Sequence, residues 1–153
     1  MRLKYGSGVF PAAPARPPMR ARVEALQAEL AKLPQFEPET RHYFHAGMYC
    51  RSVFRPAGVL VVGKVHKKEH FYVVASGTVA VTTDDGMQEI TGPAVLLSRP
   101  GTKRAVLALT DATCLTFHVT DAKTPEAAEV ELAEADELSP FGIGNQLKQE
   151  VLS

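Results

Sequence analysis

Five side chains in the middle of this sequence could do chemistry together: Lys64, His66, His70, Arg104 and His118. Side chains alternate along a strand, so His66 shares a face with Lys64, and His70 opens the next apolar run after a tight turn. Neighbouring strands of that kind direct both imidazoles into one mouth. A hairpin expected to turn at residues 110–112 sets Arg104 opposite His118, with Cβ atoms about 5 Å apart. A one-residue slip in that register would turn His118 to the other face. Neutral imidazoles with open positions suit one divalent transition metal (Zn, Fe, Ni, Cu or Mn) held by His66, His70 and His118. Read differently, Lys64, Arg104 and the histidines form a cationic pocket for a carboxylate or phosphate, with no metal. A third reading leaves the mouth structural, with Lys103 and Arg104 as a solvated strand edge.

The remaining candidates carry less. His42 and His45 are three apart and face opposite sides of an extended segment, as surface or satisfied core histidines. Glu69 sits beside Lys67 and Lys68 as an exposed turn residue. Gly142-x-Gly144 lacks the strand-to-helix setting of a phosphate loop. No nucleophile arrangement and no paired catalytic carboxylates stand out, so no residue is assigned to catalysis.

Short strands must position these groups. The pattern predicts strands at 48–54, 59–65, 70–75, 78–83, 87–91, 94–97, 103–109 and 113–120, broken by Gly and Pro. Asp84-Asp85-Gly86 reads as a type I′ hairpin turn. Such spacing argues for an all-β sandwich or barrel. On either side lie other elements. Residues 1–18 form an extended, proline-rich basic arm. Residues 19–33 form a helix with Val23, Leu26, Leu30 and Leu33 on one face, ended by Pro34, and residues 34–38 link it to the barrel. The barrel spans 39–121 and a tail 122–153. In the tail, Thr124-Pro125-Glu126 opens an acidic helix running to about residue 137, and residues 145–152 form a last short helix.

The chain's 153 residues and 45% hydrophobic content suit one globular domain. No apolar run approaches the roughly 18 residues of a membrane span, and the N-terminus lacks the apolar core of a secretory signal. Neither a membrane span nor signal-directed secretion is therefore expected. Cys50 and Cys114 read as reduced core residues. A net charge of zero hides a basic stretch at 1–23 and an acidic one at 126–137. They are either two solvated segments or a docking pair within one chain or between neighbours. Without aromatic interleaving, the basic stretch is a poor nucleic-acid signature.

The stretch 63–77, followed by Gly92 and Ser98-Arg99-Pro100-Gly101-Thr102-Lys103-Arg104, resembles the paired motifs of the cupin family. His70-x6-Gly77 fits the end of the first motif, with His70 at the family's acid. His66 fits the second histidine and Lys64 replaces the first. The second motif keeps its Pro-Gly turn one residue tighter, and Arg104 replaces its histidine. The resemblance covers residues 41–120. It implies a cupin-like jelly-roll barrel, often paired through its sheets. Glu39 to Phe44, Gly47 to Arg51, Gly63 to Lys67, His70-Phe71, Thr83 to Gly86 and Ser98 to Arg104 also look like small cupin-type proteins of tailed phages and prophages, which implies a location in the host cytoplasm or the virion.

Two functions follow. The first is a non-enzymatic, homo-oligomeric assembly protein of phage type, a decoration, neck or tail-associated component that contacts its own copies or neighbouring virion proteins. The second is a small metal-dependent or anion-binding cupin that uses His66, His70 and His118, with Lys64 or Arg104 orienting an anionic ligand.

Overall fold

Helix α1 (Met19–Leu30) lies on the barrel of its own chain. Val23, Met19, Leu26 and Leu30 pack on Leu60, Val62 and Ala105. Leu33, expected on that face, falls beyond the helix and is exposed. This is a computed structural model, and it describes residues 18–148. The arm at 1–17 and the end of the tail at 149–153 lie outside the described residues.

Nine strands follow: β1 (Glu39–His45), β2 (Met48–Arg55), β3 (Leu60–Val62), β4 (His70–Ser76), β5 (Thr78–Thr83), β6 (Gly86–Thr91), β7 (Ala94–Ser98), β8 (Ala105–Ala108) and β9 (Ala112–Val119). They form two antiparallel sheets, ordered β1-β2-β9-β4-β7 and β3-β8-β5-β6. Val74, Val79, Val81, Ile90, Val106, Ala112 and Cys114 fill the space between them. This is the expected jelly-roll barrel. Cys50 and Cys114 are both free thiols.

Gly77 marks the crossing from β4 to β5. Its φ is +83°, and a Cβ there would sit 2.1 Å from the Asp111 carbonyl oxygen, so only glycine fits.

Several expectations need correction. The strand expected at 59–65 pairs only over Leu60–Val62. Asp84 and Asp85 link β5 to β6 without the positive φ of a type I′ turn, since Ala46 is the only non-glycine at positive φ among the described residues. The hairpin that paired Arg104 with His118 does not form. β8 joins β3 and β5 in the smaller sheet, while β9 joins β2 and β4 in the larger. Here β7, β8 and β9 alternate between the two sheets, so proximity in sequence misassigned the partner.

Helix α2 (Pro125–Leu132) is capped by Thr124, whose Oγ1 accepts from the Ala127 amide at 3.2 Å. It stops five residues short of the expected end because Ala133 turns extended and bridges to His66. Of the short helix expected at 145–152, residues 146–148 are not helical and follow one 3-10 turn, Ile143–Asn145, while 149–152 lie outside the described residues. The charge runs meet in part: Arg20 of α1 reaches Glu134 at 3.2 Å. Lys103 is no solvated edge, since it is 3% exposed and pairs with Asp136 at 2.8 Å.

Candidate metal centre

The inner face of the larger sheet is laid out in rows fixed by its register. Phe44, Tyr49 and His118 face one another across β1, β2 and β9, and His70 and Ser98 continue the row on β4 and β7. The next row runs His42, Arg51, Thr116, Tyr72 and Leu96. The third is Thr40, Val53, Cys114, Val74 and Ala94. Polarity is therefore concentrated in the first two rows and gives way to core in the third, with Arg55 one row further along β2.

His66 comes from the irregular segment between β3 and β4 and closes over the first row. The structure brings His66, His70 and His118 together, with one ring nitrogen from each within 4.8 Å of the others. Ring centroids are 4.3 Å apart for His66–His70, 4.6 Å for His70–His118 and 5.3 Å for His66–His118. So His118 reaches the site through the β2–β9–β4 pairing, not opposite Arg104.

Burial pushes all three histidines below the usual imidazole range, to about 2 for His66 and about 3 for His118. The Arg51 guanidinium pushes in the same direction on each. At neutral pH the rings are neutral, which is the ligating form. His70 Nδ1–H donates to the Lys68 carbonyl at 3.3 Å, leaving Nε2 free to bind. His118 Nε2 lies 2.9 Å from Thr116 Oγ1, leaving Nδ1 as its unengaged nitrogen. A four-coordinate ion with nitrogens at about 2.1 Å needs them about 3.4 Å apart, so small ring rotations would close this triangle. The donor set fits a transition metal with open positions.

The C-terminal segment roofs the mouth. Lys64 pairs with Glu129 at 2.5 Å and Lys68 with Glu131 at 2.7 Å. Backbone bonds from Lys67 N to Leu132 O and from Glu134 N to Val65 O complete the seam. Lys64 is thus held by the acidic helix rather than aimed freely into the barrel.

Two small cavities, about 60 and 50 Å³, flank His66 and share Arg51 and Arg55 in their walls. The smaller is also lined by Arg104, Tyr72 and His70. Arg104 donates from Nη1 to the Thr82 carbonyl at 3.3 Å. Beside the histidines, His42 Nδ1 lies 2.5 Å from the Tyr49 hydroxyl. Tyr49 in turn stacks on His118, with centroids 5.7 Å apart.

Arg51, Arg55, Tyr72, Thr116 and Glu129 escaped the sequence reading. The available signal was parity, because Tyr49, Arg51, Val53 and Arg55 alternate along β2. The other parity, with Met48, Cys50 and Phe54, is the more apolar, so alternation alone points the wrong set inward.

The comparisons with known proteins concern the fold. No protein-family model matches the sequence, and no curated protein matches it. Solved cupins do match the structure. A cupin superfamily protein from Desulfitobacterium hafniense shares 14% identity, with a TM-score of 0.49 over 61% of this chain and 87% of that one. KdgF from Halomonas sp. shares 11% identity, with a TM-score of 0.50 over 57% and 84%. The Cupin_2 domain of an XRE family transcriptional regulator from Enterobacter cloacae shares 11%, with a TM-score of 0.47 over 57% of this chain and all of that domain. The chain has the cupin fold. None of the helices among the described residues is long and apolar enough to cross a membrane.

Proposed function

We propose that this protein is a metal-binding cupin that acts on a small molecule admitted to the barrel mouth. The observation that carries this reading is the convergence of His66, His70 and His118, with ring nitrogens within 4.8 Å of one another. Three neutral imidazoles hold a divalent transition metal and leave coordination positions open. When bound, such an ion supplies Lewis-acid or redox chemistry of the kind oxygenases, isomerases and hydrolases use. The chain's own part is to orient the rings through Lys68 and Thr116 and to shield them beneath α2.

Elemental mass spectrometry of untagged protein tests this directly. The expected result is close to one metal per chain, absent from folded His70→Ala and His118→Ala proteins. Wild-type protein that stays metal-free after growth with added iron, manganese and zinc overturns the reading.

A second reading is favoured by the outer face of the larger sheet. Tyr43, Cys50, Phe117, Phe71 and Leu97 form one cross-strand row there. Val95 and Val119 flank it at 66% and 80% exposure. A contiguous apolar patch of this kind suits association with a second copy of the chain. A virion role is the finer form of this reading and rests on the resemblance to phage-encoded cupins alone.

A further inference from the structure

Three guanidinium groups enter the smaller cavity: Arg51 and Arg55 from β2, and Arg104 from the segment leading into β8. Arg55 is only 7% exposed. Its Nε and Nη1 are buried without a hydrogen-bond partner among the described residues, as are Arg51 Nε and Arg104 Nε. The Tyr72 hydroxyl, beside the Cys114 thiol, also lacks a partner of hydrogen-bond geometry. Among the described residues no carboxylate oxygen lies within 4 Å of any of the three arginines. Glu129, which lines the neighbouring cavity, is already engaged by Lys64 and by the Gly144 amide at 3.2 Å.

This is an unusual arrangement for a folded interior. A guanidinium does not shed its proton, and a buried charge left unpaired is strongly unfavourable. Like charges gathered around one small cavity add repulsion. The histidines alongside cannot offset it, because an imidazole carries either no charge or a positive one. No described residue supplies the compensating charge within 4 Å. The donors that wait for it, guanidinium N–H groups and a phenol, are those that bind oxyanions well. A cavity of about 50 Å³ admits the head of a compact acid, not a large ligand.

We propose that Arg51, Arg55, Arg104 and the Tyr72 hydroxyl bind the carboxylate or phosphate of a small acid, beside the three histidines. Such a ligand would answer the unpaired donors and place the rest of its skeleton toward His66 and His70, which line the same cavity. The proposal extends the metal reading but does not rest on it, since the arginines serve an anion with or without a metal on the histidines.

The test uses full-length, chelator-treated protein in chloride buffer. Thermal unfolding and titration calorimetry are followed with oxalate, malonate, succinate, inorganic phosphate and sulfate as probes. At least one probe is expected to raise the unfolding midpoint by several degrees at about one hundred times its Kd, and to give a saturable calorimetric isotherm. The carboxylate and the phosphate or sulfate arms then identify the head group.

Arg55→Met is expected to weaken that probe at least tenfold. In chloride alone it should leave the midpoint unchanged or raise it, because the variant removes an uncompensated buried charge. Arg104→Gln should show the same loss of response should Arg55→Met fold poorly. Midpoints that no probe moves beyond the chloride control, or variants that respond as the wild type does, overturn the proposal. Metal content plays no part in the readout, so this result and the metal measurement stand or fall separately.

Discussion

The two faces of the five-stranded sheet reverse the usual assignment. At the mouth the inner face carries His42, Arg51, Tyr72, His70, His118 and Thr116. The outer face carries Tyr43, Met48, Phe54, Phe71, Val95, Leu97, Phe117 and Val119, all at least 37% exposed. A sheet with one solvated face normally alternates apolar-in and polar-out. Here that rule holds only in the third inner row, where Val53, Cys114 and Val74 join the core. Buried polar groups persist where they meet partners or await a ligand, whereas exposed apolar rows persist where something covers them. The two departures therefore point to two uses of one sheet, ligand binding inside and association outside.

The largest effect comes from exchanging the faces at single positions. Val74 is fully buried while Val119 is 80% exposed, and register alone decides which way each points. Val74→Asp should destabilise the fold by about 4 kcal/mol or more, or prevent folding, while Val119→Asp should stay within about 0.5 kcal/mol. Urea unfolding measures both. Similar costs at the two sites would mean that the register is slipped by one residue.

Acid should separate the faces next, because the inner one alone gathers buried imidazoles. The folded-state values, about 2 for His66, about 3 for His118 and lowered for His70, lie below the unfolded value near 6.5. The unfolded chain therefore takes up protons that the folded one refuses. Stability of metal-free protein is full above about pH 6.5 and falls as pH drops below it, by up to about 1.4 kcal/mol per pH unit for each histidine. Asp136, held low because Lys103 and Gln27 outweigh its burial, contributes its own loss only below the ordinary aspartate range. Denaturant midpoints at pH 7.5, 6 and 5 test this, with His118→Asn expected to flatten the slope. Equal midpoints across that range would rule out three neutral buried imidazoles.

The outer face should show the smallest change in stability and a clear one in assembly. Phe71→Glu and Phe117→Glu place charge at the centre of the apolar row. Light scattering on a size-exclusion column should find the wild type associated and the double variant monomeric. The stability change per site should be within about 1 kcal/mol, and metal content should be unaffected. A monomeric wild type at micromolar concentration would remove the assembly reading.

Much of this molecule could be read from sequence. Gly and Pro punctuated apolar runs into strands, Thr124-Pro125-Glu126 announced α2, and the glycine at position 77 met a steric demand that no other residue satisfies. His66 and His70 were legible because both lie near one turn. His118 was named through a hairpin with Arg104 that does not exist, and it reaches the cluster because β9 lies between β2 and β4. Arg51 and Arg55 were not legible, since the opposite parity of β2, with Met48, Cys50 and Phe54, is the more apolar and reads as the inner face. The Lys103–Asp136 pair joins residues 33 apart, across separate elements.

Local rules are short-ranged: propensity, alternation and turn chemistry act over a few residues, and those the sequence determined by itself. They settled an all-β sandwich or barrel flanked by helices, with His66 and His70 beside one turn, and the resemblance to cupins selected the barrel. Which sheet each strand joins, which face of β2 is inside and what charge goes unanswered there are long-range outcomes. They follow from closing the jelly roll, which sends β8 and β9 to opposite sheets and brings distant residues into one cavity. Only the tertiary structure could decide them.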